Sequence, residues 1–214
     1  MVAVSLKKKA GPLTLCITVF GQVPAGHALR RDRARAGDDL WVSGTLGDAR
    51  LALAALRGEI DLPAEALAQA RQRLERPTPR LALGTALRGI AHSAIDVSDG
   101  LAGDLGHILK ASQVGAVIKV ADASRLIAAR ALLASAEGPF GLKSLLPFIL
   151  TGGDDYELVF TAPPAARAAV QAAAQRAATP VTRIGRIEAE PGLRLIDAHG
   201  RATPLAGRAF DHFA

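Results

Sequence analysis

Two short segments of this chain combine carboxylates with glycine, and both could do chemistry. The first reads Asp96-Val97-Ser98-Asp99-Gly100-Leu101, followed by Asp104 and His107. Asp96 would end a strand, and Ser98 or Asp99 would cap the helix that follows. Carboxylates at i and i+3 across such a turn can point into one cleft. Oxygen ligands in that pattern suit a hard cation that bridges phosphate groups. A helix N-terminus also favours an anion through its free amides and its dipole. The plain alternative is that Ser98 and Asp99 only cap the helix, and pattern alone favours it. The second segment reads Thr151-Gly152-Gly153-Asp154-Asp155-Tyr156-Glu157. Paired glycines allow close backbone approach to a ligand, although Gly-Gly-Asp-Asp is also an ordinary turn. Taken together, the two acidic foci suggest a magnesium–nucleotide site. No Walker A, GxGxxG, HExxH or GxSxG pattern occurs, so a nucleotide would be held another way.

Other residues carry weaker signals. Arg31, within the cluster Arg30, Arg31, Arg33 and Arg35, could clamp a phosphate, and a surface arginine is the bland alternative. His107 on an otherwise apolar helix reads as packed or capping rather than catalytic. Trp41 reads as core. Phe210-Asp211-His212-Phe213 could close over a site, and a frayed terminus is the default.

The elements that must position these groups follow from hydrophobic periodicity. Strands are expected at 13–20, 39–45, 94–96, 115–120, 156–161, 181–187 and 193–197. Helices are expected at 49–57, 64–76, 80–90, 101–112, 124–136 and 164–177, with Leu101, Leu105, Ile108 and Leu109 on one buried face. Residues 22–26 and 138–142 read as turn or loop, and 145–150 is apolar and ambiguous. Alternating strands and helices argue for layered α and β structure.

Composition sets outer limits. The 214 residues are 50% hydrophobic and 21% charged, enough apolar surface for a core and against disorder. No apolar run approaches the roughly 20 residues that cross a bilayer. Lys7-Lys8-Lys9 before an apolar stretch loosely mimics a signal peptide, but Pro12, Thr14 and Thr18 interrupt it and the segment alternates like a strand. The single cysteine, Cys16, excludes an internal disulfide and a cysteine zinc cage. A cytoplasmic protein is expected. The net charge of +6 invites a nucleic-acid reading. Aromatics are only 4%, so stacking platforms for single strands are scarce and a solvated basic surface is preferred.

The residues 93–101 (Ser-Ala-Ile-Asp-Val-Ser-Asp-Gly-Leu), with Asp104-Leu105-Gly106-His107-Ile108, resemble the signature of thiamine-monophosphate kinases. These belong to the superfamily of aminoimidazole ribonucleotide synthetase and selenophosphate synthetase. Val23-Pro24-Ala25-Gly26, Gly37-Asp38, Val42-Ser43-Gly44-Thr45, Gly47-Asp48, residues 151–160 and Phe210-Asp211-His212-Phe213 keep the family's order. The resemblance implies an α+β fold, a layered mixed-sheet domain over 27–214 like the C-terminal domain of aminoimidazole ribonucleotide synthetase. Residues 1–26 would be a remnant strand of an N-terminal domain. It implies transfer of the ATP γ-phosphoryl to thiamine monophosphate, with Mg2+ and no covalent intermediate. Two polyanions must meet in line, so charge neutralisation and positioning carry such a reaction. By position in the motif, Asp96 and Asp99 would bind magnesium, and Ser98 and Arg31 would contact ATP. Asp154 and Phe210 would contact thiamine monophosphate.

Two departures bear on activity. Many family members carry Glu at the position of Asp154. The family also has an N-terminal domain of more than a hundred residues with further magnesium aspartates and much of the dimer interface. Its acid-bearing segment is replaced here by Ser5-Leu6-Lys7-Lys8-Lys9, so metal binding there should fail. Little kinase activity is expected of this chain alone. The alternatives are a kinase with another phosphate acceptor, a nucleotide-binding remnant or subunit that pairs with a separate N-terminal half or forms a homodimer, and a nucleic-acid binder.

Overall fold

The computed structural model describes residues 2–7, 14–134 and 142–204. The described residues form nine strands and eight helices. The chain opens with β1 (Val2–Lys7) and β2 (Thr14–Val19), and β3 (Asp39–Ser43) follows a 3-10 turn at Arg31–Arg33. Then come α1 (Asp48–Leu56), α2 (Ala64–Glu75), α3 (Leu81–Ala86), β4 (Ser93–Val97), α4 (Leu101–Ser112) and β5 (Gly115–Lys119). The second half holds α5 (Val120–Ala123), α6 (Arg130–Ala134), α7 (Leu142–Thr151), β6 (Glu157–Ala162), α8 (Arg167–Arg176), β7 (Val181–Glu188), β8 (Gly192–Ile196) and β9 (Ala202–Thr203).

Seven strands form one mixed sheet in the order β4-β6-β3-β7-β5-β8-β9. Every neighbouring pair is antiparallel except β5 with β8. Period-2 alternation divides the side chains between two cores. Leu40, Val42, Ile95, Val97 and Val159 turn to one face, where Leu51 of α1, Leu101, Leu105 and Ile108 of α4, and Ile149 of α7 cover them. Trp41, Phe160 and Ala162 turn to the other, under Leu83 of α3 and Val170 and Ala173 of α8. Trp41 is core as expected, stacked on Phe160 with ring centroids 6.3 Å apart. Layers of helix on both faces of one sheet match the expected α+β class.

Most expected elements sit where hydrophobic spacing put them. Three differ. The helix expected at 80–90 ends as α3 at Ala86, and the turn that follows leads into β4. The helix expected at 124–136 is broken: α5 and α6 flank a stretch whose amides at Ala128 and Ala129 donate to the buried Asp48 carboxylate instead of to a helix ladder. The ambiguous stretch 145–150 is helical, within α7. The expected loop at 138–142 falls mainly outside the described residues. The strand expected at 13–20 finds a partner in β1, and the two form a separate antiparallel sheet with Val2 opposite Val19. Ile17 and Val19 of that hairpin are 66% and 69% exposed, so these two side chains stand outside both cores.

Candidate functional site

The turn between β4 and α4 is built around Asp104. Its Oδ2 accepts the N–H groups of Ser98 (3.0 Å), Asp99 (3.0 Å) and Gly100 (3.1 Å). Burial raises the Asp104 carboxyl above its ordinary range, opposed by those three amides. The N-cap position is taken by Gly100, not by Ser98 or Asp99. Asp104 reaches back from the first turn and holds the loop instead. The loop amides expected to be open to an anion are already engaged by this carboxylate.

The second acidic segment docks on the first through its backbone. Asp154 N–H donates to Ser98 O (2.9 Å), and Tyr156 N–H donates to Val97 O (3.0 Å). Gly153 is the point of closest approach: a Cβ there would stand 2.4 Å from Ser98 O. Asp154 and Tyr156 take φ of +70° and +53°, a left-handed conformation that costs non-glycine residues energy. Buried anchors on either side hold them there. Asp155 accepts the N–H groups of Gly47 (2.6 Å) and Ala49 (3.1 Å) at the start of α1. Burial pushes its carboxyl up to about 7, and the nearby Asp48 charge adds to the rise. Burial likewise raises Asp48. Glu157 is fully buried and accepts from Ser43 Oγ (2.6 Å), Arg73 Nη2 (2.6 Å), and Arg80 Nε (2.7 Å) and Nη2 (2.5 Å). Arg73 Nη2 also donates to Asp155 O (2.7 Å). Of the three acids in this segment, only Asp154 reaches open space.

Ser98, Asp99, Asp154 and Tyr156 line one cavity of about 540 Å³, to which α1 adds Arg50 and Leu53 and its C-cap residue adds Arg57. Tyr156 also borders a shallower hollow of about 380 Å³, with Asp96 and Arg80 among its lining. Asp96 and Asp99 thus open into two adjoining hollows that share a tyrosine. Among the described residues no three His, Cys, Asp or Glu side chains gather to hold a metal by themselves. Magnesium is commonly held by one or two carboxylates, water and substrate phosphates, so a single carboxylate in either hollow has the donor chemistry for it.

Arg31 lies elsewhere. Its carbonyl accepts Ser112 Oγ (2.8 Å) at the C-terminal end of α4, the end away from Asp99. The 12 residues of α4 span ~18 Å. Its neighbour Arg30 bridges to Ser93 at the start of β4, three residues and ~10 Å from Asp96 along the strand. Phe210 lies outside the described residues. His107 is exposed on α4 rather than packed.

Residues 35–198 match the family described as AIR synthase related protein, C-terminal domain. The chain belongs to that family. Its curated relatives include the thiamine-monophosphate kinases of Salmonella typhimurium, 40% identical over 206 residues, and Escherichia coli K12, 41% identical over 206 residues. Each alignment covers 95% of this chain and 61% of the relative, so the chain spans about three fifths of their length. Among solved structures, the thiamine-monophosphate kinase of Stenotrophomonas maltophilia K279a superposes with a TM-score of 0.77 at 44% identity, over 90% of this chain and 60% of that one. AaThiL complexed with AMPPCP and TMP superposes with a TM-score of 0.65 at 29% identity, over 86% and 54%. The shared architecture is the mixed-sheet domain that carries both acidic turns.

Sequence reasoning missed the ion cluster Arg73–Glu157–Arg80 and the place of Arg50. A signal for the first was present. Glu157 and Val159 share one face of β6 by period 2, and Val159 is core, so an acid in phase with it had to be buried and neutralised. Its partners lie 77 and 84 residues away in sequence and carry no spacing signal.

Proposed function

We propose that this chain is the part of a thiamine-monophosphate kinase that holds magnesium–ATP and one wall of the phosphate-acceptor site. The observation that carries this reading is the main-chain docking of the 152–156 loop onto the β4–α4 turn. It brings Ser98, Asp99 and Asp154 into one cavity, in a chain 40% identical over 206 residues to a thiamine-monophosphate kinase. The AMPPCP and TMP bound to AaThiL support the same pair of ligands for the common fold.

Asp96 and Asp99 would hold magnesium, which when bound neutralises and bridges the phosphate oxygens during transfer. Ser98 offers its hydroxyl to ATP. Asp154, turned outward by its left-handed backbone, offers a carboxylate to the acceptor, which in thiamine monophosphate carries a cationic ring. Arg31 is assigned to ATP on its position in the family motif. Phe210 is assigned to the acceptor on family resemblance alone. Turnover is proposed for the chain joined by the portion of its relatives that it does not match, as an N-terminal half or a second subunit. The working protein is placed in the cytoplasm. Among the described residues no helix is long and apolar enough to cross a membrane.

Calorimetric titration of magnesium–ATP into the 214-residue chain tests this. Binding that needs magnesium and weakens at least about tenfold in Asp96→Asn and Asp99→Asn is the expected result. Equal affinity in the folded variants would overturn the assignment. Rapid magnesium-dependent formation of thiamine diphosphate by the chain alone would overturn the need for a further portion.

A further inference from the structure

We propose that Arg50, supported by Arg57, is an anion-binding wall of the cavity that contains Asp99 and Asp154, and that it takes the phosphate of the acceptor substrate. The identity of the acceptor rests on the kinase reading above; the anion site does not.

Arg50 and Leu53 stand at i and i+3 on α1 and Arg57 follows as its C-cap residue, so one helical face and its end look into the cavity. The position of Arg50 is tightly set. Asp155 ties the first turn of α1 to the 152–156 loop. Gly152 packs against the Arg50 stem so closely that a Cβ there would stand 2.7 Å from Arg50 Cβ. The guanidinium carbon lies 6.0 Å from the centroid of the Phe148 ring.

The hydrogen bonding of that guanidinium is incomplete. Nη2 donates to Glu59 Oε2 (2.8 Å). Nη1 is buried and has no hydrogen-bond partner among the described residues. A guanidinium presents a planar fork of donors, and buried donors in native proteins nearly always find an acceptor. Phosphate oxygens suit such a fork: the exposed part of the Arg50 side chain lines the cavity, and Nη1, which has no exposed surface, would reach an anion by a turn of the guanidinium. Arg57 adds a second positive charge; its Nη1 is 3.9 Å from Glu59 Oε1, an exposed and loose pairing. The cavity therefore has a basic wall on α1 and an acidic wall at Asp99 and Asp154. A phosphate monoester that also carries a cationic portion satisfies both.

Inorganic pyrophosphate, thiamine monophosphate and thiamine are titrated into the chain and its Arg50→Gln, Arg50→Lys, Arg57→Ala and Glu59→Gln variants, with thermal melting to confirm folding. The wild type is expected to bind pyrophosphate and thiamine monophosphate. Arg50→Gln should weaken both by about tenfold or more while leaving thiamine unchanged. Arg50→Lys should recover part of the loss, and Arg57→Ala should lose a few-fold. Glu59→Gln removes the ion pair but keeps the cation, so a purely structural role for Arg50 predicts a lower melting temperature with no change in ligand binding. The anion site predicts phosphate binding tightened, because the competing carboxylate is gone. A wild type that binds no phosphate-bearing probe overturns the proposal. So does a folded Arg50→Gln that binds all three as the wild type does; thiamine monophosphate bound equally by both would still leave the kinase reading standing. Pyrophosphate held through Arg50 without any affinity for thiamine monophosphate would keep the anion site and remove the kinase reading. Should Arg50→Gln not fold, Arg57→Ala and Glu59→Gln decide.

Discussion

Asp155 gives the structure a pH signature that can be measured without any ligand. It is fully buried, it joins the 152–156 loop to α1, and its carboxyl is raised from 3.8 to about 7. Desolvation is the largest cause, and the Asp48 charge adds to it. The native state therefore binds a proton that the unfolded chain gives up near the ordinary carboxylate value. The stability this contributes is complete below about pH 4 and is lost as pH rises through about 7. Between pH 5 and pH 8 the loss comes to ~2.5 kcal/mol at about 1.4 kcal/mol per pH unit. Asp155→Asn removes the titration and keeps one acceptor oxygen for the two amides. At pH 5, where the wild-type carboxyl is protonated, it should be destabilised by ~1–2 kcal/mol, and that deficit should vanish or reverse by pH 8. Its stability should not fall across that window beyond what Asp48 and the surface contribute, and those act in both proteins. Urea unfolding of wild type and variant at pH 5, 6, 7 and 8 measures the difference. Parallel stability curves would refute the reasoning, because they would mean that Asp155 is ionised throughout and that its amide bonds outweigh its burial.

Other anchors give sharper single-point tests. Asp104→Ala leaves three loop amides without their acceptor, so it should cost ~2–3 kcal/mol and weaken magnesium–ATP binding through disorder of Ser98 and Asp99; denaturant melts and calorimetry check both, with Asp104→Asn as a partial rescue. Glu157→Gln leaves Arg73 and Arg80 short of a counter-charge in a buried setting and should cost ~3–5 kcal/mol, measured as the change in urea midpoint at constant m-value.

The sheet and most helices were legible because apolar spacing decides them locally. Leu101, Leu105, Ile108 and Leu109 define α4, and β3 and β6 show runs with few alternatives. Where the structure departs, a distant polar group intervenes. Asp48, 80 residues upstream, draws the amides of Ala128 and Ala129 out of a helix that local propensity would have formed. The acidic turns were legible as sites, but their division of labour was not. Asp99 and Asp154 differ from Asp104 and Asp155 only in which way each side chain points. That direction depends on which backbone amides are left over after the fold assembles. Arg50 carried no signal at all, since its significance lies in a glycine, a phenylalanine and a glutamate brought to it from other parts of the chain.

The arrangement of the 152–157 loop shows why buried charge and site geometry go together here. Asp154 and Tyr156 hold left-handed backbone angles, and each such residue costs on the order of 1 kcal/mol or more. A loop free to relax would abandon them and turn Asp154 away from Ser98. Asp155 and Glu157 prevent this by alternating with the strained pair, each fixed by backbone amides or arginines from a different layer. Apolar anchors could fill the same volume, and buried ion pairs are often replaceable in that way without loss of stability. They could not fix the phase of the chain at every second residue, because apolar packing tolerates small slips that hydrogen bonds to fixed amides do not. The buried acids are therefore best understood as setting the register of the site, and the variants above separate the two roles. Loss of stability alone would mark packing, whereas loss of ligand affinity in a folded protein would mark register.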